Sequence, residues 1–294
     1  MRPPEGLPTP PLRLPAWLRV KVGKREQGRE MRELMAGLGL NTVCSSARCP
    51  NLGECYTCGT ATFLIMGNRC TRDCRFCAVP SGAPEALDPE EPARVGQAVR
   101  KLGLRYAVVT SVTRDDLPDG GAGHIAATLR AIHAAAPGTA VEVLTPDFLG
   151  DRDALRVVLE AGPAVFNHNV ETVARLQREV RPQADYERSL GVLAAAGEMA
   201  PEIPRKSGMM AGLGESEGEI RATLRDVRRI GVSLVTIGQY LQPTRAHLPV
   251  ARYVTPEQFA EYVEWGREIG LRHVAAGPFV RSSYHAAQAA AAGR

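Results

Sequence analysis

Short β-rich runs alternate with helix-period segments along most of this chain, and that alternation constrains the fold more than any other feature. Strands are predicted at Ala61 to Met66, Arg105 to Ser111, Ala140 to Leu144, Ala164 to His168, Ile203 to Met210 and Ser233 to Ile237. Helices are predicted near Pro89 to Leu102, Gly123 to Ala136, Arg152 to Ala161, Tyr186 to Ala196, Glu215 to Ile230 and Pro256 to Ile269. This spacing implies βαβ units around a parallel sheet, hence an α/β fold. Six strands are too few for a closed eight-stranded barrel and fit a partial (β/α)6 TIM-type barrel. The 294 residues suffice for such a core, and with aromatics at 5% it must be built from Ala, Val, Leu and Ile.

Charge and hydropathy exclude several partners. Lys and Arg number 36 against 32 Asp and Glu, a net +4 with no block of like charge, so nucleic acid is not expected. No run approaches the ~18 apolar residues of a membrane span. Met1 to Pro15 is proline-rich where a secretory signal would need an apolar core, which predicts a cytoplasmic protein without membrane contact.

All seven cysteines fall between Cys44 and Cys77. An odd, clustered set in a cytosolic chain argues for metal rather than disulfides. Two readings of the spacing stand. Cys55, Cys58, Cys74 and Cys77 give a C-x2-C pair, fifteen residues and a second C-x2-C, a possible closed zinc ribbon. Alternatively, Cys44, Cys49 and Cys55 form C-x4-C-x5-C, and Cys70, Cys74 and Cys77 form C-x3-C-x2-C. Two triads use six cysteines. A four-iron cluster held by three thiolates leaves one iron open to another ligand. The second triad, with Phe76 before its last cysteine, follows an apolar run as a loop after a first barrel strand should.

Polar segments also fall where strands should end: TSVTRDDLPDGG from Thr110, NHNVET from Asn167, KSGMMAGLGE from Lys206 and GQYLQPTRAH from Gly238. Taken alone, GLGE is a helix start with Glu215 near its N-terminus, and Asp115 and Asp116 are solvated loop charges. His124, His133 and His273 lack metal-ligand spacing.

C-x3-C-x-aromatic-C resembles the signature of the radical S-adenosylmethionine (SAM) enzymes, and Gly208, Met210, Gly212 and Glu215 resemble their G-x-hydrophobic-x-G-x-x-E element. The two triads in order, GTATFLIMG, SVTRDDLPDGG, FNHNVETV, KSGMMAGLGE, TIGQYLQP and VRSSYHA together resemble the lipoyl synthase family over roughly residues 40 to 285. Cys58 departs from that family's usual pattern.

The resemblance implies a radical SAM partial barrel over 59–272, an N-terminal extension (1–58) carrying auxiliary-cluster ligands, and a C-terminal extension (273–294) with the Arg281 to Tyr284 motif. Cys70, Cys74 and Cys77 would hold the four-iron cluster that reduces SAM, and Cys44, Cys49 and Cys55 a second, auxiliary one. Ser283, with Ser282 as the alternative, would be the auxiliary cluster's fourth ligand. Asn167, Glu171 and Arg181 are expected at SAM, as are Gly212 beside the adenine and Asp116 at the amino group.

The reaction implied is insertion of two sulfur atoms, at C6 and C8 of a protein-bound octanoyl chain. No side-chain base removes an unactivated methylene hydrogen, so a 5'-deoxyadenosyl radical from SAM must do so. The auxiliary cluster would supply the sulfur. Implied partners are an octanoylated lipoyl carrier domain (a 2-oxoacid dehydrogenase E2 or the glycine cleavage H protein), a flavodoxin or ferredoxin reductant, and an iron–sulfur carrier. Another sulfur-inserting radical SAM enzyme, near biotin synthase, would lack the upstream triad and RSSY.

Overall fold

The computed structural model describes residues 13–19, 29–43, 51 and 61–292. One sheet runs in chain order through β1 (Asn41–Thr42), β2 (Thr62–Ile65), β3 (Tyr106–Ser111), β4 (Ala140–Leu144), β5 (Val165–Asn167), β6 (Arg205–Ala211), β7 (Leu234–Gln239) and β8 (His273–Gly277). β1 is antiparallel to β2, and all later neighbours are parallel. Among the described residues no pairing joins β8 back to the first strands, so the sheet is open.

Helices form most of the crossovers. They are α1 (Arg29–Gly37), α2 (Glu91–Leu102), α3 (Ala122–Ala135), α4 (Arg152–Glu160), α5 (Gln177–Val180), α6 (Tyr186–Met199), α7 (Glu217–Arg229), α8 (Pro256–Glu268) and α9 (Ala286–Ala292). Their starts are written in the sequence. Asp151 caps α4 by accepting from the amides of Asp153 and Ala154, and Ser216 with Glu219 closes a reciprocal capping box on α7. Thr255 caps α8, whose first residue is Pro256.

The six expected strands are β2 to β7, and the six expected helices are α2 to α4 and α6 to α8. β8 was not expected. Its sequence, HVAAG, has one β-branched residue, so its extended form comes from the register against β7, Leu234 opposite His273 through Gly238 opposite Gly277. It begins the segment after residue 272 and joins that segment to the sheet. α9 is almost pure alanine, the best helix former.

Period-2 alternation along the strands divides the core into two layers. Phe63, Ile65, Val109, Val143 and Phe166 pack outward with the helices, including Val95, Leu129, Leu155 and Leu224. Tyr106, Val108, Val165 and Leu234 face inward and are covered by Ala286 and Ala290 of α9. Inside the barrel Lys206 Nζ lies 2.9 Å from Glu142 Oε1, with both side chains 1% exposed. Glu142 also accepts from the Tyr106 hydroxyl and from Asn167 Nδ2, each at 2.9 Å. Such a pair needs these extra donors to offset desolvation.

A cavity of about 650 Å³ opens at the N-terminal ends of the strands, lined by Arg205, Arg228 and Arg272 among others. Arg205 there donates to the carbonyl of Leu193, within α6, and to that of Ile230, the C-cap of α7. In barrels of this type the chemistry belongs at the other end.

Candidate active site

The loop after β2 begins under constraint. Met66 has φ +66, a left-handed conformation costly for a residue with a Cβ, and its amide donates to Glu91 Oε2 at 2.8 Å. His124 Nε2 meets the same oxygen at 2.8 Å. Gly121 makes the room, because a Cβ there would strike Met66 Sδ.

Cys70, Cys74 and Cys77 follow as free thiols, all half-buried. Cys70 is fixed by its backbone, donating to Pro80 O and accepting from Gly82 N, each at 2.9 Å. Between the first two cysteines Arg72, 4% exposed, reaches back to Asp115 after β3 and Asp147 after β4 at 2.7 and 2.6 Å. Burial opposes the charge on Arg72, but these two carboxylates outweigh it and raise its pKa. Burial would likewise raise Asp147, yet hydrogen bonding to Arg72 and that residue's charge hold it well below the carboxylate range.

The far side of the loop is tied to later strands. Arg75 N donates to Val180 O, and Leu248 N donates to Arg75 O. His247 Nε2 lies 2.9 Å from Cys77 O, which can only accept, so Nε2 carries the proton and Nδ1 accepts from Thr244 at 2.8 Å. Loops after β2, β3, β4, β5 and β7 thus converge on the three cysteines.

Burial pushes the Cys74 thiol up and the Cys77 thiol up to about 12. A thiol in this setting stays protonated in water and releases its proton when a metal binds the sulfur. Cys70 Sγ already accepts amide contacts from Thr113 at 3.3 Å and Arg72 at 3.5 Å, the donors a thiolate uses. Among the described residues no three His, Cys, Asp or Glu side chains could hold a single ion. A cluster requires less convergence, since its thiolates bind different irons.

Beside the cysteines lies a polar segment after β5. Glu171 and Arg181 are close enough for their charges to act on Cys74. Glu171 adopts φ +64, held because its amide donates to Gly208 O and its carbonyl accepts from Met210 N. Burial raises the pKa of its carboxyl, opposed by Arg181 and by the hydrogen bond from Asn169. His168 is driven down to about 4, first by burial and then by the charge of Arg181. Its Nδ1 faces Thr145 O at 2.9 Å, leaving Nε2 as an acceptor.

Six side-chain atoms of 167–181 are buried without a protein partner: Thr172 Oγ1 and Gln177 Oε1, and, as three acceptors and one donor, Asn167 Oδ1, His168 Nε2, Asn169 Oδ1 and Arg181 Nε. Buried polar groups are rarely left unpaired, so three acceptors and one donor beside a cysteine loop fit a polar ligand such as SAM. Arg181 directs Nη1 to the carbonyls of Asn169 and Val170, at 3.2 and 3.3 Å.

The other expected residues have protein partners of their own. Asp116 is paired with Arg114 at 2.8 Å, with its side chain 38% exposed. Gly212 donates its amide to Glu215 Oε1 at 2.7 Å, and a Cβ there would meet Gln239 and the Arg252 carbonyl, so protein packing alone requires the glycine. Ser283 Oγ accepts from Thr62 Oγ1 at 2.8 Å. Cys44, Cys49, Cys55 and Cys58 lie outside the described residues. The sequence reading missed Asn169 and His168 as individual residues, although their motif was visible; the doubled asparagine in NHN was the available signal.

The chain matches the model of the Radical SAM superfamily over residues 64–227. Solved structures share its fold at low identity. Methylornithine synthase aligns with a TM-score of 0.53 and 14% identity over 86% of this chain and 83% of that one. HydG, a maturase of the [FeFe]-hydrogenase, aligns at 0.57 and 15% over 93% and 65%. Curated relatives are far nearer. The lipoyl synthase of Rubrobacter xylanophilus is 58% identical over 97% of this chain and 91% of that protein. Those of Caldanaerobacter subterraneus subsp. tengcongensis and Thermus thermophilus are 56% and 55% identical, over 94% and 92% of this chain and 96% and 85% of theirs. With the cysteine loop and the unpaired polar atoms at the C-terminal end of its sheet, the chain belongs to the radical SAM superfamily and, within it, to the lipoyl synthase family.

Proposed function

We propose that the chain works as a lipoyl synthase whose two cysteine triads do separate chemistry. The enzyme inserts two sulfur atoms into an octanoyl chain carried on a protein, using SAM and four-iron clusters. Cys70, Cys74 and Cys77 would hold one cluster, which would supply the electron for SAM cleavage. Cys44, Cys49 and Cys55, with Ser283, would hold the auxiliary cluster, which would supply the sulfur. Ser283 would be a hard oxygen ligand among thiolates.

The chain's own residues bind and orient. Asn167, fixed by Glu142, presents its unpaired Oδ1 as an acceptor for a hydroxyl or ammonium of SAM. Glu171 and Arg181 offer one acidic and one basic group beside Cys74 for the methionine moiety. Asp116 and Gly212 are weaker candidates, since each is engaged by neighbouring protein groups. Arg72 and its two carboxylates hold the cysteine loop to the sheet. Three parts divide this work: 1–58 carries the auxiliary ligands, 59–272 the barrel, and 273–294 the serine motif.

The carrier is a lipoyl domain of a 2-oxoacid dehydrogenase E2 or the glycine cleavage H protein. A flavodoxin or ferredoxin supplies electrons; exposed Arg75, Arg178 and Arg245 near the cysteine loop suit an acidic donor. An iron–sulfur carrier rebuilds the auxiliary cluster. We assign the enzyme to the cytoplasm, where seven thiols stay reduced. Among the described residues no helix is long and apolar enough to cross a membrane.

The observation that carries this reading is the cysteine loop set against the unpaired atoms of Asn167, His168, Asn169 and Arg181. The test is an anaerobic assay with SAM, reductant and an octanoylated carrier domain, followed by mass spectrometry of the carrier. Lipoyl product is expected; SAM cleavage without sulfur in the carrier contradicts it.

A further inference from the structure

The segment after β8 is pinned at three points, and each pin reaches a different part of the molecule. Asn51, from the stretch between Cys49 and Cys55, donates Nδ2 to Phe279 O at 2.6 Å. Thr62, first residue of β2, donates to Ser283 Oγ at 2.8 Å. Asn169 donates Nδ2 to Ser282 Oγ at 2.8 Å. The two adjacent serines therefore have different neighbours.

Asn169 is the informative partner. It is 7% exposed, and its amide nitrogen has two protons. One is directed to Glu171 Oε1 at 3.0 Å and the other to Ser282. With both donors engaged, Oδ1 is held away from these partners and has none of its own. Without Ser282 one proton is unsatisfied and the amide is free to turn over, which would move the acceptor. Gly208 makes the contact possible, because a Cβ there would lie 2.7 Å from Asn169 Oδ1 and 3.1 Å from Ser282 Oγ.

We infer that Ser282 is a positioning residue that couples SAM binding to the seating of the C-terminal segment, through its hydrogen bond to Asn169. This rests on the assignment of the Asn167 to Arg181 group to SAM. The serines divide their work: Ser283 is left for the auxiliary cluster, while Ser282 orients an acceptor in the SAM pocket. Asn51 ties the same segment to the chain before the barrel, so SAM binds best when that part is in place. The coupling is reciprocal, so SAM must in turn stabilise the segment.

The experiment uses full-length enzyme, reconstituted without oxygen, as wild type, Ser282→Ala, Ser282→Thr and Gly208→Ala. SAM affinity is measured by equilibrium dialysis, and hydrogen–deuterium exchange of 279–285 is followed with and without SAM. Ser282→Ala should keep the wild-type iron content and bind SAM about three- to ten-fold more weakly, the size one neutral hydrogen bond carries. Its KM for SAM should rise more than its kcat falls, and SAM should no longer slow exchange in 279–285. Ser282→Thr restores both readouts, and Gly208→Ala reproduces the alanine phenotype. Unchanged affinity and protection in Ser282→Ala would overturn the coupling, and loss of iron in that variant would make Ser282 a cluster ligand instead. Either result with lipoyl product still formed by wild type leaves the enzymatic assignment standing; absence of that product in wild type removes the assignment itself.

Discussion

Cys70 and Cys44 carry the same side chain, yet the proposed function asks them for different chemistry, and substitution separates them. Cys70→Ala should reduce both 5'-deoxyadenosine and lipoyl product to background. Cys44→Ala should still cleave SAM but form no lipoyl group; a lipoyl-forming Cys44→Ala enzyme would remove the auxiliary assignment. Ser283→Ala should behave like Cys44→Ala, while Cys58→Ala should keep full activity, with chromatography of both products as the readout. His168 gives a pH prediction. Its pKa falls from an ordinary 6.5 to about 4, so the unfolded chain takes up a proton that the fold refuses. That contribution is complete above pH 6.5 and is lost as pH drops toward 4. His168→Asn, which can keep the bond to Thr145 O, should lose less stability over that window in urea unfolding. The cysteines were legible in the sequence because three thiols fall in one short loop. Asn169 and Ser282 were not, because their hydrogen bond joins residues 113 positions apart.

At the scale of elements, the loop after β4 does more than connect. Asp147 is wholly buried, holds Arg72 at 2.6 Å and Arg188 at 2.7 Å, and accepts the amide of Leu149. Phe148, Leu149 and Gly150 follow with positive φ, so the turn is maintained against its own preference. Asp147→Asn leaves Arg72 under-paired in a buried site and should cost about 3 kcal/mol in denaturant unfolding of the cluster-free protein. Ser216→Ala, which opens the capping box on α7, should cost about 1 kcal/mol and leave SAM binding unchanged. Strands β2 to β7 were readable from period and punctuation, since Val, Ile and Leu runs lie between clear helix signals. β8 was not, because Ala275, Ala276 and Gly277 have no strand preference and take their form from β7.

Across the whole molecule, the open sheet places distant segments around one space. Helices and strands pack outside, α9 covers the inner apolar face, and the Lys206–Glu142 pair fixes Asn167 between them. The N- and C-terminal parts meet where Asn51 holds Phe279 and Thr62 holds Ser283, which brings the serine motif beside the start of the barrel. The central claim, that two triads each hold a four-iron cluster, is tested most directly by iron, sulfide and zinc content of protein reconstituted without oxygen. About eight irons and about eight sulfides per chain are predicted; about one zinc and no sulfide would mean a closed four-cysteine site and would contradict the account.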